Sequence, residues 1–163
     1  MVKFIDIKET DVTLCKGECK MIDIHSHILP GIDDGAKDMA SSINMLKHAV
    51  QSGTRSIIAT PHYFRNHFET EYETVIDEVE KLRAEVINNN LDIDIYSGQE
   101  VFADKYTVEL YKNGIVKGLC GSDYMLMEFP MDKYSKTYLD IIYELSLLGV
   151  KPIIAHPERY LYI

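Results

Sequence analysis

The sequence predicts an α/β protein in which crossover helices join a parallel sheet, either as an open doubly wound sheet or as part of a barrel. Three observations predict it. Five apolar runs of strand length recur along the chain, helical periodicity follows the first four, and no low-complexity stretch or Pro/Gly-rich hinge divides the sequence. At 163 residues and 46% hydrophobic content the chain supports one core of ordinary size, hence a single globular unit.

The first run, "MIDIHSH" from Met21, leads to a helix with Met39, Ile43, Leu46 and Val50 on one face and Gly53 where it should stop. The second, "RSIIATPH" from Arg55, leads to a helix opening at "TEYE". There Thr70 and Glu73 have capping-box spacing, and Tyr72, Ile76, Val79, Leu82 and Val86 follow down one face. The third, "LDIDIYSGQE" from Leu91, precedes a short helix in "DKYTVELYKNG". The fourth, "YMLMEFP" from Tyr124, precedes "KYSKTYLDIIYELSLLG", which aligns Tyr138, Ile141, Leu145 and Leu148 ahead of Gly149. The fifth strand is "KPIIAHPER" from Lys151.

Composition narrows the function classes. A net charge of -9 and a pI near 5.1 oppose a face for nucleic acid or anionic membrane, since both require clustered Lys and Arg. The apolar runs are too short to span a bilayer, and nothing has the zones of a signal peptide. Cys15, Cys19 and Cys120 are too few and too unevenly placed for a disulfide framework, so a reduced, cytoplasmic protein is expected. The two thiols of "CKGEC" lack the second pair that a zinc site needs and read as free.

In both architectures the chemistry gathers where strands end and loops to the next helix begin. Every predicted strand carries a metal-competent residue there: His25 and His27 on the first with Asp34 in the loop after it, His62 on the second, Glu100 on the third, Glu128 on the fourth and His156 on the fifth. Residues i and i+2 of a strand share a face, so His25 and His27 can hold one ion together. Imidazoles mixed with carboxylates suit manganese, iron or zinc, and carboxylates can bridge paired ions. Any one such residue is more often a solvated rim residue; their coincidence at all five strand ends points to a metal site. His48 within the first helix and His67 ahead of the second read as surface residues.

The motifs "MIDIHSHILPGIDDGAKD", "IIATPHYF", "SGQEVF", "LMEFP" and "IIAHPERY" resemble, in order, those of the PHP superfamily (polymerase and histidinol phosphatase). Within it they are most similar to the bacterial manganese-dependent protein-tyrosine phosphatases that act on the kinases regulating capsular and exopolysaccharide synthesis. The resemblance runs from Met21 to about Tyr160. It implies a distorted β/α barrel of the TIM type with two or three ions at its rim, manganese first, iron or zinc as alternatives. By resemblance, His25, His27 and Glu100 hold one ion, and Glu100 bridges to a second held by Glu128 and His156. Asp34 and His62 serve a third, and Arg159 grips the phosphate. Water would attack phosphorus in line while the ions and Arg159 offset the developing charge, so the acidic surface is no obstacle to an anionic substrate.

The family's ligand set closes with Asp-x-His on a late strand, whereas the sequence stops at Ile163 after "HPERYLY". Residues 21–163 are therefore expected to form an incomplete phosphatase domain, a five-stranded partial barrel lacking the last strands, since such barrels need on the order of 200 residues or more. An open edge at the fifth strand would leave it weakly stable or completed by another chain, and a homo-oligomer is among the expected assemblies. Residues 1–20 are expected to be upstream sequence without chemistry; the other reading of "KFIDI" is a short extra strand. The expected partner is a phosphotyrosine protein, a bacterial tyrosine kinase. The alternatives are a noncatalytic remnant that binds metal or a kinase, and a small-molecule phosphatase acting on an ester such as histidinol phosphate. A metal-dependent amidohydrolase fits less well, because its bridging lysine is replaced by Glu128.

Overall fold

The computed structural model describes residues 21–162. Along the chain run β1 (Met21–Ser26), α1 (Met39–Gln51), β2 (Thr54–Ala59), β3 (His62–Phe64), β4 (Phe68–Glu69) and α2 (Tyr72–Asn88). They are followed by β5 (Asp94–Ser97), β6 (Glu100–Phe102), α3 (Thr107–Lys112), β7 (Tyr124–Glu128), α4 (Lys136–Leu147), β8 (Lys151–Ile154) and a 3-10 turn over Pro157–Arg159. The segment "KFIDI" and the cysteines Cys15 and Cys19 lie outside the described residues; Cys120 is exposed with a free thiol.

The five expected strand positions are present, all mutually parallel, in two ladders ordered β1-β2-β5 and β4-β3-β6-β7-β8. The second and third positions are each cut in two. Pro61 has no N–H to give the ladder, so β2 stops and β3 resumes beyond it, and the facing strand breaks alongside between β5 and β6. Hydrogen bonds from Glu100 N to Pro61 O (3.0 Å) and from Thr60 N to Ser26 O (2.8 Å) tie the ladders across the break. Strand positions follow chain order without a reversal, so among the described residues there is no switch point of the doubly wound kind. The sequence pattern did not signal β4, which folds back antiparallel on β3 with Phe64 opposite Phe68.

Strand alternation splits the interior. Ile57 and Ile95 point to α1 and α2, where they meet Leu46, Val79 and Leu82. Val101, Met125 and Met127 pack instead with Ile141 and Leu145 of α4. On the opposite face Ile58, Leu119, Leu126 and Ala155 form a smaller apolar cluster. Burying side chains such as Leu46, Leu82 and Leu145, each 0% exposed, contributes on the order of 1.5–3 kcal/mol apiece.

Helix limits and faces follow the local chemistry with three corrections. Asp38 caps α1 by accepting from Ser41 N at 2.7 Å, and Gly53 takes φ +94° just past its end. The capping box expected at Thr70 and Glu73 does not form. Glu71 is the N-cap and makes no side-chain cap bond, while Tyr72 N donates to Ile115 O (3.0 Å) from a distant loop. A tertiary contact thus takes one of the donors that the box would have satisfied. On α2 the buried stripe runs through Val75 rather than Ile76, and Leu148 falls just past α4 and is exposed. No described helix is long and apolar enough to cross a membrane.

Candidate metal centre

The site grows from the end of β1. His25 and His27, two residues apart, turn their rings the same way, with their Nε2 atoms 3.2 Å apart. The loop beyond is pressed onto His27: Ala36 N donates to its carbonyl at 3.0 Å, and a Cβ on Gly35 would lie 2.2 Å from that oxygen. Only glycine allows so close an approach. The contact delivers Asp33, whose fully buried carboxylate meets His27 Nδ1 at 2.7 Å and accepts from the amides of Gly35 (2.9 Å) and His62 (3.0 Å). His27 Nε2 is thereby left facing the cluster, as an acidic partner on the far nitrogen does for metal-binding histidines.

Glu100 is the hub. It is 1% exposed at the start of β6, and its Oε2 lies 3.1 Å from His25 Nε2, 3.2 Å from His27 Nε2 and 3.2 Å from His62 Nδ1. Its Oε1 is 3.0 Å from His156 Nε2. Glu128, at the end of β7, stands 3.4 Å from His156 Nε2 and 3.7 Å from His62 Nδ1. Asp34 is exposed, with its carboxylate 3.6 Å from His62 Nε2. His156 follows β8 in the left-handed region at φ 31°, immediately before Pro157. All seven sequence-predicted ligands therefore converge.

These residues and Arg159 line one pocket of about 450 Å³, with Met131 the sole apolar side chain among the nine that surround it. Arg159 is largely exposed at the lip, its Nε 3.9 Å from Glu158. His48 and His67 stand apart, both exposed, and the His67 ring lies tilted against Phe64 with centroids 4.3 Å apart. Sequence reasoning missed Asp33 and Met131. The acidic doublet Asp33-Asp34 was a signal for the first, because a metal-binding histidine usually needs a partner for its other nitrogen; Met131 carried none.

Burial alone would push His27 down, but its bonds to Asp33 and Glu100 outweigh this and raise it to about 10. Burial likewise opposes ionisation of Glu100 and Asp33. Glu100 is nevertheless held well below the ordinary carboxylate range by His25 and His27, and Asp33 is lowered by His27 and the Gly35 amide. Glu128 goes the other way, raised by burial and by the Glu100 charge beside it. The donor set suits cations: His25, His27 and Glu100, then His27, Asp34 and His62, then His62, Glu100 and Glu128 each place ligand atoms within 4.8 Å of one another. The buried Nδ1 atoms of His62 and His156 have no hydrogen-bond partner. On His62 that atom sits between two carboxylates, where a cation would satisfy it.

The chain is 39% identical over 140 residues to tyrosine-protein phosphatase YwqE of Bacillus subtilis, covering 85% of this chain and 55% of the relative. It is 33% identical over 143 residues to tyrosine-protein phosphatase CpsB of Streptococcus pneumoniae, covering 86% and 58%. A solved structure from work on YwqE and CpsB, described as unique metal-dependent tyrosine phosphatases, superposes with a TM-score of 0.81 at 38% identity, covering 85% of this chain and 56% of that one. The chain thus spans about half the length of the curated relatives it matches. A family model for capsular polysaccharide synthesis, CpsB/CapC, matches residues 21–163. With the match beginning at the strand that leads into His25 and His27 and running past the one that leads into His156, the chain belongs to the CpsB/CapC family.

Proposed function

We propose that this chain carries the metal-binding half of a phosphotyrosine phosphatase whose protein substrate is a bacterial tyrosine kinase of capsule or exopolysaccharide synthesis, acting in the cytoplasm. The observation that carries the reading is Glu100, a buried carboxylate approached by four imidazoles that arrive from three strand positions. The relatives' names and the five parallel strands in chain order support it, the latter as part of a β/α barrel of the TIM type.

His25, His27 and Glu100 would hold one ion, Glu100, Glu128 and His156 a second, and Asp34 with His62 a third. Manganese is the first choice because imidazole and carboxylate donors are mixed and thiolate is absent from the site. Bound dications would supply charge neutralisation and acidify water. The protein's own work is separate. Asp33 fixes the tautomer and tilt of His27, and Arg159 offers its donor fork to phosphate oxygens at the lip.

The test is phosphate release from a phosphotyrosine peptide by manganese-loaded protein, set against histidinol phosphate. Faster turnover of the peptide is expected. A clear preference for the small ester would replace the substrate class, and release from neither by metal-loaded protein would overturn the phosphatase reading.

A further inference from the structure

Three aromatic rings stand outside every apolar cluster of the described residues yet line up with the metal-binding row. β3 and β6 run in register with His62 beside Glu100, and β6 and β7 with Phe102 beside Glu128. Side chains two apart share a face, so Phe64 and Phe102 occupy the row immediately beyond His62 and Glu100, level with Glu128. Their rings are stacked with centroids 4.1 Å apart. Phe68, opposite Phe64 on β4, lies nearly parallel to the His62 ring at 5.8 Å and 15°. All three rings are half-buried and absent from the apolar clusters.

On the pocket lining itself stands Met131, 37% exposed. Its backbone is pinned from both sides: its carbonyl accepts from Leu161 N at 2.9 Å, and Tyr162 Oη donates to the carbonyl of Pro130 at 2.8 Å. An otherwise ionic pocket thus has one fixed thioether on its lining, and one of its histidines, His62, carries the Phe68 ring stacked against it. Neither feature helps to hold a cation. Both match a flat ring attached to the phosphate, since aromatic pairs favour stacked or edge contacts and thioethers favour ring edges.

We infer that Phe68 and Met131 are specificity-determining residues that hold the aromatic ring of the substrate ester and select aryl over alkyl phosphates. This rests on the phosphomonoester reading of the site, and binding rather than turnover separates the two. Manganese-loaded protein is titrated with phenylphosphonate and with methylphosphonate, neither of which is hydrolysed. Wild type is expected to prefer the phenyl compound. Phe68→Leu and Met131→Ala should each reduce that preference, the ratio of the two affinities, about three- to tenfold, and Phe68→Tyr should restore it.

Equal loss of both ligands in Phe68→Leu would mean that the ring only props His62 and would overturn the assignment. So would a wild type that fails to discriminate between the phosphonates or binds neither. A protein that prefers phenylphosphonate but releases no phosphate from any ester would sink the phosphatase reading and leave this one standing.

Discussion

Asp33 shows how much of the centre depends on one side chain that faces away from it. Its carboxylate is buried, takes two backbone amides, and holds His27 Nδ1 at 2.7 Å, so the ring cannot rotate its other nitrogen out of the cluster. Asp33→Ala is expected to lower manganese affinity about 10–100-fold without contacting the ion, read by calorimetric titration. An unchanged affinity would show that packing alone sets the ring. The convergence of the strand-end residues was legible in the sequence because His and Glu at the ends of apolar strands are chemically conspicuous and period two fixes their side. Asp33 was not, since only the fold of the loop through Gly35 separates its role from that of Asp34 one position on.

Among the elements, strands were legible from apolar runs and helices from their stripes, whereas α2 shows what periodicity leaves open. Ile76 and Val75 both fit a helical face by spacing, and only the direction of the neighbouring sheet puts Val75 at 0% exposure. Leu82→Ala in the same stripe should therefore destabilise the protein by about 2–5 kcal/mol in urea denaturation, and Ile76→Ala by clearly less. Equal costs would place the core on a different face of α2. The failed capping box has the same origin, because the Ile115 carbonyl that meets Tyr72 N is remote in sequence. So does the unforeseen hairpin strand β4, whose two residues are too few to show alternation.

At the scale of the molecule, the centre ties together strands that the chain separates widely, with Glu100 and His156 56 residues apart and in contact through one hydrogen bond. Cation binding should hold those strands together, and saturation at 100 times Kd would add about 2.7 kcal/mol to stability. Proton and metal compete for the same nitrogens. In metal-free protein His27 is raised from 6.5 to about 10, so its stabilising contribution is complete below pH 6.5 and fades as pH rises toward 10. Chelated protein should therefore melt at lower temperature at pH 8.5 than at pH 6.5. The gain on adding manganese should grow over the same interval, because the ion needs the deprotonated ring. Thermal melts at both pH values, with chelator and with manganese, check this; a gain that shrinks with pH would show that His27 is not displaced by the ion.

The backbone of His156 carries a further consequence. A bulky residue at φ 31° directly ahead of a proline sits where glycine would be at ease, at a cost on the order of 1–3 kcal/mol. Selection for stability alone would replace the imidazole at this position, so a stability-guided redesign would strip Glu100 of the nitrogen 3.0 Å away without any warning from the folding energy.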